Sequence, residues 1–372
     1  MEIVLVEQAD AVTEALAGLV TPVVGVDVER ADGQRYFREA ALVQVGAGER
    51  CVILDPLALG DLGALADFLS TRLAVLHAVE NDLEPLAAAG VPLATPGTVH
   101  ERVADTAAAA TVLGLPSGLV PLLREVLGVT LPADKERFQR ADWSVRPLDG
   151  EMLAYAAGDV VYLPSLWEAL RERLDRSGRH PWYEQELQST LDRASADSRS
   201  WARTKGIGRL DGHGRAVLRA VWEEREAISR GEDVAPQRVA RDEVLVAIAK
   251  QPRPTLNVLG RRGLRRQQIE RYGQRLLAAA SRGASGPDEP NPSGLRRSTD
   301  EDRDAYDRMR RARLTLAEEL GLDPGVLCAG RALWAAVLSD PDSPEELASA
   351  AGLRPWQREL LEDRLWAAYR GA

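Results

Sequence analysis

The sequence predicts an α/β domain with a mixed sheet, followed by two all-α modules. Three observations carry that reading: short β-branched runs over the first 100 residues, helical periodicity from Thr106 onward, and a weak internal echo in the second half. The apolar runs lie at residues 23–28 (VVGVDV), 41–45 (ALVQV), 51–54 (CVIL) and 73–77 (LAVLH). The second and third are separated by GAGER, a tight turn that makes antiparallel neighbours of them. Residues 62–69 read as a helix leading into the fourth run. Among the later helices, 117–129 (SGLVPLLREVLGV) is the clearest. A polar loop follows at 132–143, and the next helix starts with Asp149 as its N-cap. Residues 182–200 read as a polar connection. Helices are expected near 212–229, 242–250 and 265–280, then a Ser/Gly/Pro-rich linker at 281–294, then further helices. The echo pairs DEVLVAIAK and GLRRQQIERYGQRLL with RALWAAVLS and GLRPWQRELLEDRLW, whose Gly-Leu-Arg elements at 263 and 352 sit 89 positions apart. The expected units are therefore 1–190, 199–280 and 295–372, with the linker at 281–294.

A chain of 372 residues that is 45% apolar and 28% charged has the composition of folded domains, not of a disordered polymer. Its apolar runs are short and interrupted by charge, so neither export nor membrane insertion is expected, and a cytoplasmic location is. Cys51 and Cys328 lie far apart in no metal-ligand pattern and read as buried free thiols. The net charge of -10 conceals segregation. Residues 199–280 carry 18 Lys or Arg against 9 Asp or Glu, a net of +9, which leaves -19 for the rest. Affinity for phosphate follows local positive density, so the basic segment is a nucleic-acid-binding candidate.

The acidic half holds the candidate chemistry. Asp27 and Glu29, at i,i+2 in a strand, put both carboxylates on one face. Two acidic groups that close repel each other unless cations neutralise them, although a strand end meeting water also carries such a pair. HAVEND, at 77–82, can set Asp82 at the same end of the sheet. The plainer readings are that Asp82 caps a helix and that His77 is a core histidine, not a ligand. Tyr155 and Asp159 stand i,i+4 on one helix face, where Ala154, Ala156, Ala157 and Gly158 permit close approach of another element. An edge tyrosine beside a surface aspartate is the alternative. Together, Asp27, Glu29, Asp82 and Asp159 suit two divalent cations about 4 Å apart. Oxygen donors alone favour Mg²⁺ or Mn²⁺. Tyr155 would orient an attacking water, because a phenol is a poor base at neutral pH.

These motifs, VGVDVERADGQRY, LHAVENDL and YAAGD, with DTAAAATVLG and ADWSVRPL between them, resemble the DEDD exonuclease superfamily in its tyrosine-containing, ribonuclease D branch. The resemblance spans residues 20–170. It implies an RNase H-like fold, two bound metal ions, and hydrolysis of single-stranded or structured RNA from a free 3′ end with release of nucleoside 5′-monophosphates. Trimming of transfer RNA precursors is the family's associated role. The stretches RTKGIGRLDGHGRAVLRAVWEEREAIS and PQRVARDEVLVAIAK resemble the helicase-and-ribonuclease-D C-terminal (HRDC) domain, and LRPWQRELLEDRLW resembles a second, diverged copy. The last module lacks basic density, which fits packing against the catalytic domain better than contact with RNA. One departure is ATPGTVHERVADT, longer than the family norm.

For RNA contacts, Arg261, Arg262, Arg265 and Arg266 form the densest basic cluster, and Arg203, Lys205 and Arg209 another beside Gly-Ile-Gly. Gln34, Arg35, Tyr36, Arg140 and Trp143 are the candidates in the catalytic half, Trp143 by stacking on a base or else as a loop anchor. A monomer is the simplest expectation. The same carboxylate logic serves 3′→5′ DNA exonucleases, and a nonenzymatic nucleic-acid adaptor is the alternative of a different class.

Overall fold

Six short strands pair into one sheet of order β1-β4-β3-β2-β5-β6: β1 (Glu2–Val6), β2 (Val23–Arg30), β3 (Ala40–Ala47), β4 (Arg50–Leu54), β5 (Leu73–Leu76) and β6 (Val103–Asp105). The computed structural model describes residues 1–31, 33–93, 102–131, 138, 141–195, 199–251, 254–292, 294, 296 and 298–371. The sheet is mixed. β2/β3 and β3/β4 are antiparallel, while β1/β4, β2/β5 and β5/β6 are parallel. β2 and β3 are central and read as near-continuous apolar runs because both faces are covered by helices. The four expected strands form. β1 and β6 were not anticipated: one is a short run at the start of the chain, the other has three residues.

Around the sheet lie α1 (Val12–Ala17), α2 (Pro56–Leu59), α3 (Gly63–Leu69), α4 (Leu83–Ala88), α5 (Thr106–Leu113), α6 (Leu119–Leu127), α7 (Gly150–Val160), α8 (Leu163–Ser177) and α9 (His180–Ser195). α9 replaces the expected polar connection. Its buried residues Tyr183, Leu187 and Leu191 fall at i, i+4 and i+8, an apolar stripe too sparse to stand out among polar neighbours.

Eleven further helical segments follow among the described residues: α10 (Gly212–Glu232), α11 (Pro236–Val239), α12 (Asp242–Ala249), α13 (Leu256–Arg261), α14 (Arg266–Gln268), continuing through a π-turn into α15 (Gln274–Ala284), then α16 (Asp300–Leu320), α17 (Pro324–Leu327), α18 (Gly330–Leu338), α19 (Pro344–Ala350) and α20 (Pro355–Arg370). The echo is structural. Four helices starting at 212, 236, 242 and 256 recur 88 residues later at 300, 324, 330 and 344, and the helix starting at 266 recurs 89 later at 355. The first residues of the expected linker are helical, since Gly283 packs so tightly on α10 that a Cβ would lie 2.7 Å from the Ala216 carbonyl.

Packing divides the chain into two units, Met1–Ala31, Glu39–Ala196 and Arg296–Ala372 in one, Asp32–Arg38 and Asp197–Leu295 in the other. In the first unit the C-terminal helices rest on α9, where Trp356 stacks on Trp182 at 4.7 Å and donates its indole N–H to Glu186 at 2.8 Å. Arg179 adds hydrogen bonds to the carbonyls of Val112 and Leu320. Among the described residues, no helix is long and apolar enough to cross a membrane, and Cys51 and Cys328 are buried free thiols.

Candidate active site

Alternation along β2 sends Asp27 and Glu29 to the same face of the sheet, the face on which α7 lies. Close approach of α7 depends on Gly25: a Cβ there would sit 2.1 Å from the Val160 carbonyl oxygen and 3.0 Å from Leu163. Gly46, its partner in register, similarly makes room for the Val160 side chain. With the helix seated this way, Asp159 joins the strand residues, and ligand oxygens of Asp27, Glu29 and Asp159 lie within 4.8 Å of one another.

Asp82 arrives from the end of β5. It occupies the N-cap position of α4, yet its side chain accepts no capping hydrogen bond and it is only 4% exposed. The helix-cap reading therefore fails; the carboxylate faces a cavity of about 340 Å³ shared with Asp27, Glu29, Tyr155 and Asp159. Asp82 lines the cavity without belonging to the three-carboxylate group. Burial first, and the charge of Asp27 second, push its carboxyl well above the usual carboxylate range. A cation in the cavity would favour the ionised form of this group. Gln44, opposite Asp27 in register, is fully buried, and both polar atoms of its carboxamide lack a partner. A donor set made of carboxylate oxygens fits a hard divalent cation.

Tyr155, one turn before Asp159, also opens on the cavity. Burial, then the negative charges of Asp159 and Glu29, raise its phenol far above its ordinary value, so it stays protonated and acts as a donor. Its ring is braced by Phe138 and Trp143, at centroid distances of 5.3 and 6.0 Å. Trp143 is 2% exposed and its indole N–H donates to the Phe138 carbonyl, so of its two readings the geometry matches the loop anchor: this indole is a buried support for Tyr155.

Four supporting residues, Arg146, Asp55, Asp105 and Tyr183, escaped the sequence reading. Arg146 forms a two-pronged bond to buried Asp55, at 2.6 and 2.8 Å, and donates to the Trp143 and Ala41 carbonyls, fixing the segment that carries Trp143. Asp105 caps α5 and accepts from the backbone N–H groups of Ala78 and Val79, holding Ala78 at a left-handed φ of 62° in the turn that delivers Asp82. The Asp105 N–H in turn donates to the Tyr183 hydroxyl at 3.1 Å. Asp-Thr at a helix start was the available signal for Asp105; the Arg146–Asp55 pair spans 91 positions and left none. His77 lies in the cavity wall and meets the Thr106 hydroxyl at 2.9 Å.

Comparison with known proteins bears on this geometry. Residues 3–175 match the family model described as 3′-5′ exonuclease, and residues 214–279 and 302–369 each match the HRDC domain. The chain is 30% identical to ribonuclease D of Pseudomonas paraeruginosa over 360 residues, covering 94% of this chain and 93% of that protein. It belongs to the ribonuclease D family. Ribonuclease D of Sphingobium indicum is 34% identical over 272 residues, 70% of this chain and 67% of its own length. In fold, Escherichia coli RNase D superposes with a TM-score of 0.80 at 23% identity, covering 100% of this chain and 99% of that one.

The remaining described residues singled out in this ribonuclease D family member are not among those that line the cavity. Gln34, Arg35 and Tyr36 pack within the basic helical unit and do not line the described cavity. Asp233 accepts from the Tyr36 and Phe37 amides and pairs with Arg35 at 2.6 Å, while Ala235 N–H donates to the Gln34 carbonyl. Tyr36 is 7% exposed, with Arg199 4.0 Å from its ring centroid. Tyr36 is thus a buried ring of that unit, and Arg35 is a half-exposed guanidinium paired across it. Arg203, Lys205 and Arg209 are exposed on short turns of that unit, as are Arg261, Arg262, Arg265 and Arg266, of which Arg266 pairs with Glu270. Arg140, and most of the long ATPGTVHERVADT segment, lie outside the described residues.

Proposed function

We propose that the chain is a metal-dependent 3′→5′ exoribonuclease that trims stable RNAs, transfer RNA precursors among them, as a cytoplasmic monomer. The meeting of Asp27, Glu29 and Asp159 oxygens within 4.8 Å carries the reading. Membership of a family whose E. coli representative is described as an exoribonuclease involved in structured RNA processing supplies the polymer. Mg²⁺ or Mn²⁺ bound there would lower the pKa of a coordinated water and offset charge developing at phosphorus. In this reading Asp27, Glu29, Asp82 and Asp159 would hold two such ions.

The chain's own groups do the positioning. Tyr155, kept protonated, donates to the attacking water or to a phosphate oxygen and leaves the water's lone pair aimed at phosphorus. A new P–O bond forms as the bond to the upstream 3′ oxygen breaks. That oxygen leaves as a ribose hydroxyl after taking a proton, and a nucleoside 5′-monophosphate is released. Phe138 and Trp143 restrict the phenol's freedom, so its orientation is set before substrate arrives.

Release of 5′-monophosphates from a 3′-end-labelled single-stranded RNA, compared with matched DNA, tests the proposal. Wild type with Mg²⁺ or Mn²⁺ should shorten RNA stepwise, and Asp27→Ala should reduce the rate by 100-fold or more, on the order expected when several kcal/mol of charge stabilisation is lost. A folded wild type that binds RNA yet releases nothing with either metal would leave the adaptor as the better account; preference for DNA would change the polymer.

A further inference from the structure

The two HRDC copies expose the same face of the same fold, and only one of them covers it. In the first copy the Gln268 side chain accepts from the Arg265 N–H at 2.8 Å and donates to the Arg238 carbonyl at 2.6 Å. In the second, Gln357 accepts from the Arg354 N–H at 2.9 Å and donates to the Val326 carbonyl at 2.8 Å. These bonds, with the glycines at 263 and 352 in left-handed conformation, put the copies in register: Arg238 corresponds to Val326, Arg241 to Ala329, Arg265 to Arg354, Gln267 to Trp356 and Arg271 to Leu360.

In the second copy this face is a docking surface within the chain. Arg354 pairs with Glu186, and Trp356 fills the gap against Trp182. Charge has gone from the other positions, where Val326, Ala329 and Leu360 stand. In the first copy the corresponding face is an open cleft of about 570 Å³, lined by Arg238, Arg241, Arg265 and Arg271 with Gln237 and Gln267.

The basic residues of this module divide into two kinds. Arg219 pairs with Glu223 and Glu289, Arg275 and Arg282 share Glu224, and Arg225 bonds Glu226 and Asp242. Arg271, at the cleft, is held by Glu232. Among the described residues Arg238, Arg241 and Arg265 have no carboxylate partner, and all three are exposed at the cleft. Guanidiniums gathered at one depression raise its affinity for an anion, and planar forks with amide donors between them suit successive phosphodiesters.

We propose that the cleft of Arg238, Arg241 and Arg265 binds the RNA backbone, by the face that its sister copy uses to dock on α9. This rests on the exoribonuclease reading for the identity of the polyanion. It also revises the basic cluster drawn from sequence: Arg238 and Arg241 join it, Arg265 stays at its centre, and Arg266, tied to Glu270, lies at its edge.

The test is the salt dependence of affinity for labelled oligo(U), measured with the full chain in EDTA so that no cleavage occurs. A triple variant, Arg238→Gln with Arg241→Gln and Arg265→Gln, is set against a control of equal charge change, Arg219→Gln with Arg275→Gln and Arg282→Gln. Loss of three phosphate contacts should lower the slope of log affinity against log salt by about 2, at roughly 0.7 per phosphate for a single strand. The control should keep the wild-type slope. An unchanged slope in the cleft variant, or an equal loss in the control, overturns the cleft. If wild type releases no monophosphate from RNA with either metal, the functional reading fails instead, and the slopes still judge the cleft.

Discussion

Asp82 is a carboxylate placed where folding alone would not put it. Burial and the neighbouring Asp27 raise its folded-state pKa above its unfolded value. The ionised form therefore opposes folding at neutral pH in the metal-free protein, and that opposition fades as pH falls through the raised value toward the unfolded carboxylate range. Asp82→Asn should melt at a higher temperature than wild type in EDTA at pH 7 to 8, with the difference closing toward pH 4. In Mn²⁺ the same variant should show a smaller metal-induced rise in melting temperature and a loss of exonuclease activity. A variant that melts below wild type in EDTA at every pH would contradict this account. The i,i+2 and i,i+4 spacings made Asp27, Glu29, Tyr155 and Asp159 legible, because those periods map sequence onto one face directly. Nothing local distinguished Asp82 as a buried site residue from Asp82 as a cap.

At the scale of elements, the site is the meeting of β2 with α7, and the distance between them is set by a missing side chain. Gly25→Ala would bring a Cβ to 2.1 Å from the Val160 carbonyl, so α7 must shift and carry Tyr155 and Asp159 with it. The expected cost is about 1–3 kcal/mol of stability, read by denaturant melts, together with weaker Mn²⁺ binding by calorimetry. Gly33→Ala, with nothing near its Cβ, is the matched control and should alter neither. Most strands and helices could be read from their patterns. The exceptions were elements whose apolar content is small: β1 and β6 by brevity, and α9 because only one stripe of it is buried.

For the molecule as a whole, the presence of two HRDC copies with different surroundings is the organising fact. The second HRDC copy has become part of the catalytic unit, joined through Trp356, Trp182 and the Glu186 carboxylate. Trp356 is 1% exposed, so Trp356→Ala should cost about 3–5 kcal/mol. The loss should appear as earlier proteolysis of the C-terminal helices, with turnover of a dinucleotide preserved. Proteolysis at the wild-type rate would show that the indole does not hold the module.

By itself the sequence determined the α/β-then-helical organisation, the internal repeat, the segregation of charge and the pairs Asp27/Glu29 and Tyr155/Asp159, since each is written in local period or composition. Only the tertiary structure decided which groups meet across long separations. It turned Trp143 inward against Tyr155, drew Gln34, Arg35 and Tyr36 into the basic unit, and sorted that unit's arginines into those neutralised by glutamate and those left facing the cleft. The physical reason is that burial and ion pairing depend on which partners the fold brings together, whether Tyr155 against Trp143 or Asp233 against Arg35 198 positions away, and no local period records that choice.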